Sequence, residues 1–164
     1  MHEALRADTK IKSRNELIPV IEQLRRKGKK IAFTNGCFDI LHVGHIHSFR
    51  EAKNNSDVLI VAVNSDDSVR ALKGKERPLV PEDQRAEVLS AMSDVDYVVI
   101  FNERDPLSLI TELKPDILVK GEDWAEGTII GQDVVEARGG KVIRVSLKQG
   151  VSTTNLVKKI KASG

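Results

Sequence analysis

The chain has 164 residues, of which 40% are hydrophobic and 30% charged, and this is enough apolar material for one globular domain with its own core. Its 26 basic and 24 acidic residues leave a formal net charge of +2, which argues against a nucleic-acid partner. No apolar run approaches the length of a membrane span and Met1 to Lys10 lacks a signal-peptide pattern, so we expect no membrane partner.

The predicted elements follow residues 1–12, which we assign to an N-terminal tail, and fill residues 13–164, which we assign to the single domain. A capping-box pattern from Ser13 to Glu16 predicts a helix through Lys27, and Pro19 in its early turns predicts a late start or a kink. Later helices are predicted at His45–Asn54, Pro81–Met92, Pro106–Leu113, Gly131–Ala137 and Thr153–Ile160. Strands are predicted at Ile31–Thr34, Val58–Val63, Val95–Phe101, Ile117–Val119 and Val142–Val145.

Short, nearly all-apolar strands that alternate with helices are typical of a parallel sheet covered on both faces. We therefore predict an α/β fold, a Rossmann-like doubly wound parallel five-stranded sheet in a single domain. Neither a G-x-G-x-x-G nor a P-loop pattern is present, which argues against a dinucleotide oxidoreductase and against P-loop phosphate binding. Ligands of such sheets bind at the carboxyl ends of the strands, so polar residues after each strand are candidate site residues.

The segment after the first strand, Asn35-Gly36-Cys37-Phe38-Asp39-Ile40-Leu41-His42-Val43-Gly44-His45, is the most informative in the chain. It places two histidines around a glycine at a helix start, where unpaired N–H groups and the helix dipole favour an anion. Gly44 allows close backbone approach, and imidazoles can donate to phosphate oxygens. The alternatives are simple helix capping or a zinc site with His47, which lacks cysteine and carboxylate partners. The pattern favours phosphate binding.

Cys37, the only cysteine, excludes an internal disulfide. A single thiol agrees with a reducing compartment, so we expect a cytoplasmic protein. We expect Cys37 to be a small packing residue rather than a nucleophile.

Polar residues after the second strand predict a subsite for a second ligand. Asn64 and Asp66 offer hydrogen bonds to sugar hydroxyls, with helix N-capping as the alternative for the acidic residue. Lys73 lies in a predicted loop that suits a mobile phosphate clamp. Arg85 lies near a helix start, where a cation opposes the dipole, so we expect either a substrate anion or a salt bridge with Glu82.

The last two motifs follow the fourth strand and open the final helix. Lys120 and Gly121 precede Asp123, so this turn combines close backbone approach with a carboxylate for ribose or base. Ser152, Thr153 and Thr154 supply more hydroxyls than one N-cap needs, which predicts a second phosphate cradle, with capping by Ser152 alone as the alternative.

Taken in order, these motifs resemble the cytidylyltransferase-like branch of the HxGH nucleotidyltransferases over about residues 30–160. Within that branch they are most similar to the adenylyltransferases that make ADP-heptose from heptose 1-phosphate and ATP, alone or as the rear half of a bifunctional kinase–adenylyltransferase. Glycerol-phosphate cytidylyltransferases typically carry Arg-Thr-x-Gly before Ser-Thr-Thr, whereas residues 146–150 contain no arginine, so we expect ATP rather than CTP. We expect that no sugar-kinase half precedes the domain and that a separate kinase supplies the acceptor.

The resemblance implies that the sugar phosphate attacks the α-phosphorus of ATP and releases pyrophosphate, giving ADP-heptose for lipopolysaccharide or other surface glycans. It implies a catalytic group of counter-charges, His42, His45, Lys73 and Arg85. It implies nucleotide binding by Asn35, Gly36, Cys37, Phe38, Asp39, Gly44, Lys120, Gly121, Asp123, Ser152, Thr153 and Thr154. It implies acceptor binding by Asn64, Asp66 and Lys73.

The resemblance also implies Mg²⁺, held mainly by the nucleotide phosphates and water with help from Asp39, and no metal site built by the protein alone. A homodimer is the expected assembly. Two alternatives stay open: cytidylyl or adenylyl transfer to another phosphorylated acceptor, such as glycerol phosphate or flavin mononucleotide, and a nucleotide-binding regulator without catalysis.

Overall fold

The computed structural model of the protein describes residues 6–122, 127–146 and 150–163. Its helices are α1 Ala7–Lys10, α2 Arg14–Arg26, α3 Val43–Asn54, α4 Asp66–Lys73, α5 Glu82–Ser90, α6 Leu107–Leu113, α7 Gln132–Glu136 and α8 Thr153–Ala162. Its strands are β1 Ile31–Gly36, β2 Val58–Asn64, β3 Tyr97–Phe101, β4 Ile117–Gly121 and β5 Lys141–Val145.

The five strands form one parallel sheet in the order β3-β2-β1-β4-β5. Successive side chains of a strand point to opposite faces, so the apolar runs fill two separate cores. One core takes Phe33, Ile60 and Leu118 from the strands and is covered by α2, α6 and α7, while the other takes Ala32 and Leu59 and is covered by α3 and α5. This confirms the predicted doubly wound α/β fold.

The first long helix begins where its cap predicts. The Ser13 hydroxyl accepts from the Glu16 N–H and the Glu16 carboxylate accepts from the Ser13 N–H, so α2 starts at Arg14. Pro19 lies inside the helix and does not delay its start. A capping box satisfies two otherwise unpaired N–H groups, which explains why the helix reaches this far upstream of the proline.

Residues 6–12 of the predicted tail lie against the β3 edge of the sheet. The Lys10 ammonium is buried and donates to the backbone carbonyls of Met92 and Val95. Ile11 pairs with Val98 in an isolated parallel bridge, and the Lys12 N–H donates to the Val98 carbonyl. These contacts cover part of an edge strand whose backbone groups would otherwise face water.

No helix was predicted over residues 66–73, although helix N-capping was the alternative given for Asp66. Ser65 caps a helix there, α4, by accepting the Ser68 N–H. Lys73 is therefore in the last helical turn rather than in the predicted loop, and the helix ends at its C-cap, Gly74. A helix of only 8 residues is shorter than the window of about 11 to 18 residues over which apolar periodicity is recognised, which is why the pattern was missed.

The order of the strands creates a cleft between β1 and β4. From β1 the chain goes to β2 on one side, whereas β4 and β5 lie on the other, so connections diverge above the β1–β4 pair. The carboxyl ends at such a switch point are the ligand site of open parallel sheets. Among the described residues no helix is long and apolar enough to cross a membrane.

Candidate active site

A cavity of about 680 Å³ opens above the carboxyl ends of β1, β2 and β4. This volume is typical of a site for a nucleotide-sized ligand. Most of the predicted site residues line it: Asn35, Gly36, Cys37, Phe38, Asp39, His42, Gly44, His45, Asn64, Lys73, Lys120, Gly121, Ser152, Thr153 and Thr154. Arg85 and Asp66 are not among the described residues that line the cavity. Asp123 lies outside the described residues.

The two histidines of the turn are fixed by backbone hydrogen bonds. His42 is the N-cap of α3, and its Nδ1 accepts from the Gly44 N–H at 3.2 Å. The His45 Nδ1 accepts from the His42 N–H, also at 3.2 Å. The two rings stack with their centroids 3.8 Å apart and their planes at 24°. The histidines therefore cap the helix and line the cavity at once, and the two interpretations of the pattern are compatible.

These contacts determine which ring nitrogen carries the proton. A nitrogen that accepts a backbone N–H bears no hydrogen, so each neutral ring has its proton on Nε2. Burial, with the neighbouring charges of His42 and Lys73, lowers the pKa of His45 from 6.5 to about 4, and burial also lowers the pKa of His42. Near neutral pH both side chains are thus neutral donors at Nε2, on the ring edge away from the backbone.

Gly36 and Gly44 each have an aromatic ring packed directly against the backbone, where a side chain would not fit. A Cβ on Gly44 would lie 2.9 Å from the His42 ring, and one on Gly36 would lie 3.1 Å from the Phe38 ring. Phe38 has the unusual φ of +48° and packs edge-on against His45, with ring centroids 5.2 Å apart. The glycines therefore let the rings that shape the site lie directly on the backbone.

Asp39 binds protein groups with both of its carboxylate oxygens. The N–H groups of Leu79 and Val80 donate to it at 2.8 to 2.9 Å, and Arg77 Nε donates at 2.6 Å. Burial raises the pKa of Asp39, but the two backbone hydrogen bonds and the Arg77 guanidinium outweigh it and hold the pKa below its usual value. This carboxylate ties the loop before α5 to the histidine turn, and its predicted help with Mg²⁺ stays a prediction.

Arg85 has a structural role in place of the predicted phosphate contact. Its side chain is 1% exposed, and its three nitrogens donate to the carbonyls of Val80, Cys37 and Asn64 and to Asp66 Oδ1 at 2.5 to 2.9 Å. The alternative ion pair between Arg85 and Glu82 is not formed either, because the Glu82 carboxylate accepts the Asp66 N–H. A fully buried guanidinium needs all these acceptors, so none of its donors reaches the cavity.

The predicted sugar subsite is only partly assembled. Asn64 lines the cavity, and its Nδ2 donates to the Ser68 hydroxyl at 2.9 Å. The Asp66 carboxylate is instead paired with Arg85 at 2.7 Å, away from the cavity. Its predicted contact with sugar hydroxyls is therefore corrected, since burying Arg85 requires this partner.

Lys120 and Asn35 lie side by side at the switch point. The Lys120 ammonium donates to Asn35 Oδ1, and a lysine can only donate, so the Asn35 amide turns its Nδ2 group away from this contact. Burial lowers the pKa of Lys120 from 10.5 to about 8. The floor of the cavity therefore presents hydrogen-bond donors, which suits oxygen atoms of an anionic ligand.

The start of α8 also lines the cavity. The Ser152 hydroxyl caps the helix by accepting the Asn155 N–H, as the capping alternative predicts. The Thr153 hydroxyl donates to the Ile40 carbonyl at 2.9 Å, which fastens the helix to the histidine turn. Two helix N-termini, those of α3 and α8, thus face one cavity, and each favours a negative ligand.

Sequence reasoning missed two cations of the cavity, Arg77 and Arg104. Arg77 lies in the segment between α4 and α5, and Arg104 is an exposed residue that follows β3. Arg104 had a signal that was not used, since it follows a parallel strand as the other site residues do. Within the described residues no group of three or more His, Cys, Asp or Glu is arranged to hold a metal.

The chain is similar to known proteins over nearly its whole length. The family described as cytidylyltransferase-like matches residues 33–161. A bifunctional protein HldE from Syntrophotalea carbinolica is 50% identical over 159 residues, covering 97% of this chain and 32% of that protein. A bifunctional protein HldE from Geobacter metallireducens is 52% identical over 154 residues, covering 94% and 31%. The chain thus spans about a third of the length of these relatives.

Two solved structures share the fold. The lipopolysaccharide core biosynthesis protein from Thermoplasma volcanium GSS1 is 33% identical with a TM-score of 0.60, covering 74% of this chain and 98% of its own. Pantoate-beta-alanine ligase from Francisella tularensis, complexed with beta-gamma ATP and beta-alanine, has a TM-score of 0.65 at 19% identity, covering 91% and 72%. At that identity the second similarity concerns the fold alone.

Proposed function

Because the chain belongs to the cytidylyltransferase-like family, we propose that it is an adenylyltransferase that joins ATP to a sugar 1-phosphate, specifically heptose 1-phosphate, with release of pyrophosphate. The observation that carries this proposal is the pair of imidazoles whose Nε2–H groups are fixed as donors at the start of α3. Identity of 50% to a protein named HldE, and similarity to a lipopolysaccharide core biosynthesis protein, support the sugar phosphate as acceptor.

In this reaction an oxygen of the sugar phosphate attacks the α-phosphorus of ATP, and the bond to pyrophosphate breaks. The attacking phosphate is already ionised near neutral pH, so no side chain has to remove a proton. Catalysis then depends on position and on donors aimed at the oxygens where charge develops. His42 and His45 supply two such donors, and the start of α8 offers N–H groups and hydroxyls to the departing phosphates.

The proposed Mg²⁺ is carried mainly by the nucleotide phosphates. The residues of the cavity fit binding of the ion through the phosphates, because the Asp39 carboxylate is already bound by Arg77 and by two backbone N–H groups. When bound, the ion would neutralise phosphate charge. Lys73, Lys120 and the two imidazoles would orient the phosphates through direct hydrogen bonds.

A screen for pyrophosphate release tests the proposal. ATP and CTP are each offered with heptose 1-phosphate, glycerol phosphate, phosphopantetheine and flavin mononucleotide in the presence of Mg²⁺. We expect ATP with heptose 1-phosphate to give the highest kcat/KM. A clear preference for CTP, or for another acceptor, would overturn the substrate assignment while leaving nucleotidyl transfer in place. No pyrophosphate release with any pair would favour a regulator without catalysis. Sedimentation of the same protein checks the predicted homodimer.

The histidine pair is tested by substitution. We expect His42→Ala and His45→Ala each to lower kcat by about 100- to 1000-fold, as the loss of one transition-state donor does in other acyl- and phosphoryl-transfer sites. His47→Ala is the matched control, since His47 lies on the same helix but outside the cavity lining. Unchanged kcat in either of the first two variants would contradict the proposed role of the imidazoles.

A further inference from the structure

Arg77 is held rigidly at the edge of the cavity by a buried carboxylate. Its Nε lies 2.6 Å from Asp39 Oδ2, and the side chains are 15% and 1% exposed. Asp39 is itself fixed by the N–H groups of Leu79 and Val80. A long arginine side chain normally loses much freedom when it binds a ligand. Here the fold has already restricted the guanidinium before any ligand arrives.

The outer edge of this guanidinium faces the cavity. Its Nε edge is used by Asp39, whereas no described residue accepts a hydrogen bond from Nη1 or Nη2. Neither of these nitrogens is among the buried polar atoms without a partner, and Arg77 lines the cavity, so both are open to a ligand there. Two parallel N–H donors in a plane match two oxygens of one phosphate.

The position of Arg77 in the cavity distinguishes between the two substrates. Arg77 belongs to the segment that joins α4 to α5, and the neighbouring Glu76 pairs with Lys161 of α8 at 3.6 Å. Lys73 ends the helix before this segment, and Asn64 ends the strand before that helix. The donors assigned to the nucleotide come from β1, α3, β4 and the start of α8. The residues between the end of β2 and the start of α5 are left for the acceptor.

We propose that Arg77 binds the attacking phosphate of the acceptor through Nη1 and Nη2, and that Asp39 is the positioning residue that aims it. This assignment rests on the proposed function for the identity of the acceptor. A fork that holds two oxygens of a phosphate monoester leaves its third oxygen free to attack the α-phosphorus. Lys73 adds charge on the same side, but as a compact ammonium it fixes no orientation.

The test compares Arg77→Lys and Arg77→Gln with Arg70→Gln as matched control. Arg70 lies on α4, is 46% exposed in its side chain and pairs with Asp67 on the surface, outside the cavity lining. We expect Arg77→Gln to raise the KM for heptose 1-phosphate by about 10- to 100-fold, the usual effect of losing charged hydrogen bonds. Arg77→Lys should recover only part of this loss, while the KM for ATP stays within about 2-fold in both.

A second measurement separates this inference from the proposed function. Calorimetric titration of heptose 1-phosphate without ATP reports acceptor binding even if no turnover occurs. Binding that weakens in Arg77→Gln but not in Arg70→Gln supports the assignment whether or not the wild type releases pyrophosphate. Unchanged acceptor binding, or a loss confined to ATP binding, overturns it even in an active enzyme.

Asp39→Asn tests the positioning role with Arg77 still present. We expect Asp39→Asn to raise the KM for the acceptor, as Arg77→Gln does, when the variant is assayed well below its melting temperature. A purely structural carboxylate would lower the melting temperature and leave the ratio of the two KM values unchanged. That outcome would overturn the role given to Asp39.

Discussion

At the scale of single residues, the site depends on backbone groups that hold side chains in one orientation. The imidazoles of His42 and His45 each accept a backbone N–H, which leaves Nε2–H as the donor towards the cavity. Asn35 is oriented in a similar way by the ammonium of Lys120. Such preorganised donors need no rearrangement when charge develops on a phosphate, which is the main source of electrostatic catalysis.

The first prediction concerns Gly44→Ala. A Cβ here would lie 2.9 Å from the His42 ring, so the ring has to move and its hydrogen bond from the Gly44 N–H is lost. We expect kcat to fall by about 100-fold, comparable to the loss of one donor. Alanine is a better helix former than glycine, so the melting temperature should change little. A fully active variant would show that the ring orientation is unimportant.

The second prediction concerns stability at acid pH. The pKa of His45 is about 4 in the folded protein and 6.5 ordinarily, so between these values the unfolded chain binds more protons. The free energy of unfolding therefore has its full value above pH 6.5. It decreases by roughly 2 to 3 kcal/mol as the pH falls towards 4. The lowered pKa of His42 acts in the same direction. Urea unfolding across this range measures the loss.

The variant His45→Gln is the control for that measurement. It removes the titrating group from the helix start, so its unfolding free energy should depend less on pH between 6.5 and 4.5. Asp39 also has a lowered pKa, but its contribution is lost only below its ordinary value of 3.8, outside this window. An equal pH dependence in the variant and the wild type would exclude His45 as the cause.

At the scale of elements, one buried arginine joins four parts of the fold. Arg85 of α5 binds the carbonyl after β1, the last carbonyl of β2, the first carboxylate of α4 and the segment that leads into α5. The same segment is tied to the histidine turn through Asp39. The two networks fix the α4–α5 connection over the cavity, which places Lys73 and Arg77 at its edge.

The third prediction is that Arg85→Met destabilises the protein rather than weakening substrate binding. Removing the guanidinium leaves three carbonyls and the Asp66 carboxylate without their buried donor, and losing one partner of a buried pair costs about 3 to 5 kcal/mol. Arg26→Met is the control, because its side chain is 80% exposed and contributes about 1 kcal/mol or less. A stable Arg85→Met variant with poor ATP binding would restore the phosphate role predicted from the sequence.

At the scale of the whole molecule, the strand order decides where the ligand binds. The chain diverges between β1 and β4, and Lys120 lies beside Asn35 at that point. The surrounding strands remove water from the ammonium, which lowers the pKa of Lys120 to about 8. The topology therefore places a cation that titrates near physiological pH on the floor of the cavity.

The fourth prediction follows from that pKa. Lys120 carries its charge below about pH 8 and loses it above, so kcat/KM for ATP should decline as the pH rises through 8. Lys120→Arg should lack this decline, because arginine stays protonated, and Lys120→Met should be weak at every pH. The lowered pKa values of the histidines and the raised pKa of Cys37 lie outside this range. A flat wild-type profile from pH 7 to 9 would contradict the prediction.

The sequence alone was sufficient for the fold class and for the turn that carries the histidines. Alternation of apolar strands with helices is a local property, and so are the cap at Ser13 and the spacing of His42, Gly44 and His45. Hydrogen bonds within the histidine turn join residues two or three positions apart. Such short-range contacts are what sequence patterns can predict.

The contacts of Arg85, Asp39 and Arg77 were decided only by the tertiary structure. Asp39 meets Arg77 across 38 residues of sequence, and Arg85 meets the Cys37 carbonyl across 48. No local spacing records such a meeting. Whether a charged side chain faces a ligand or a buried partner depends on which groups the packed sheet brings beside it, since burial without partners is too costly. For that reason the charges that hold the site and those that face the substrate became distinguishable only in the folded chain.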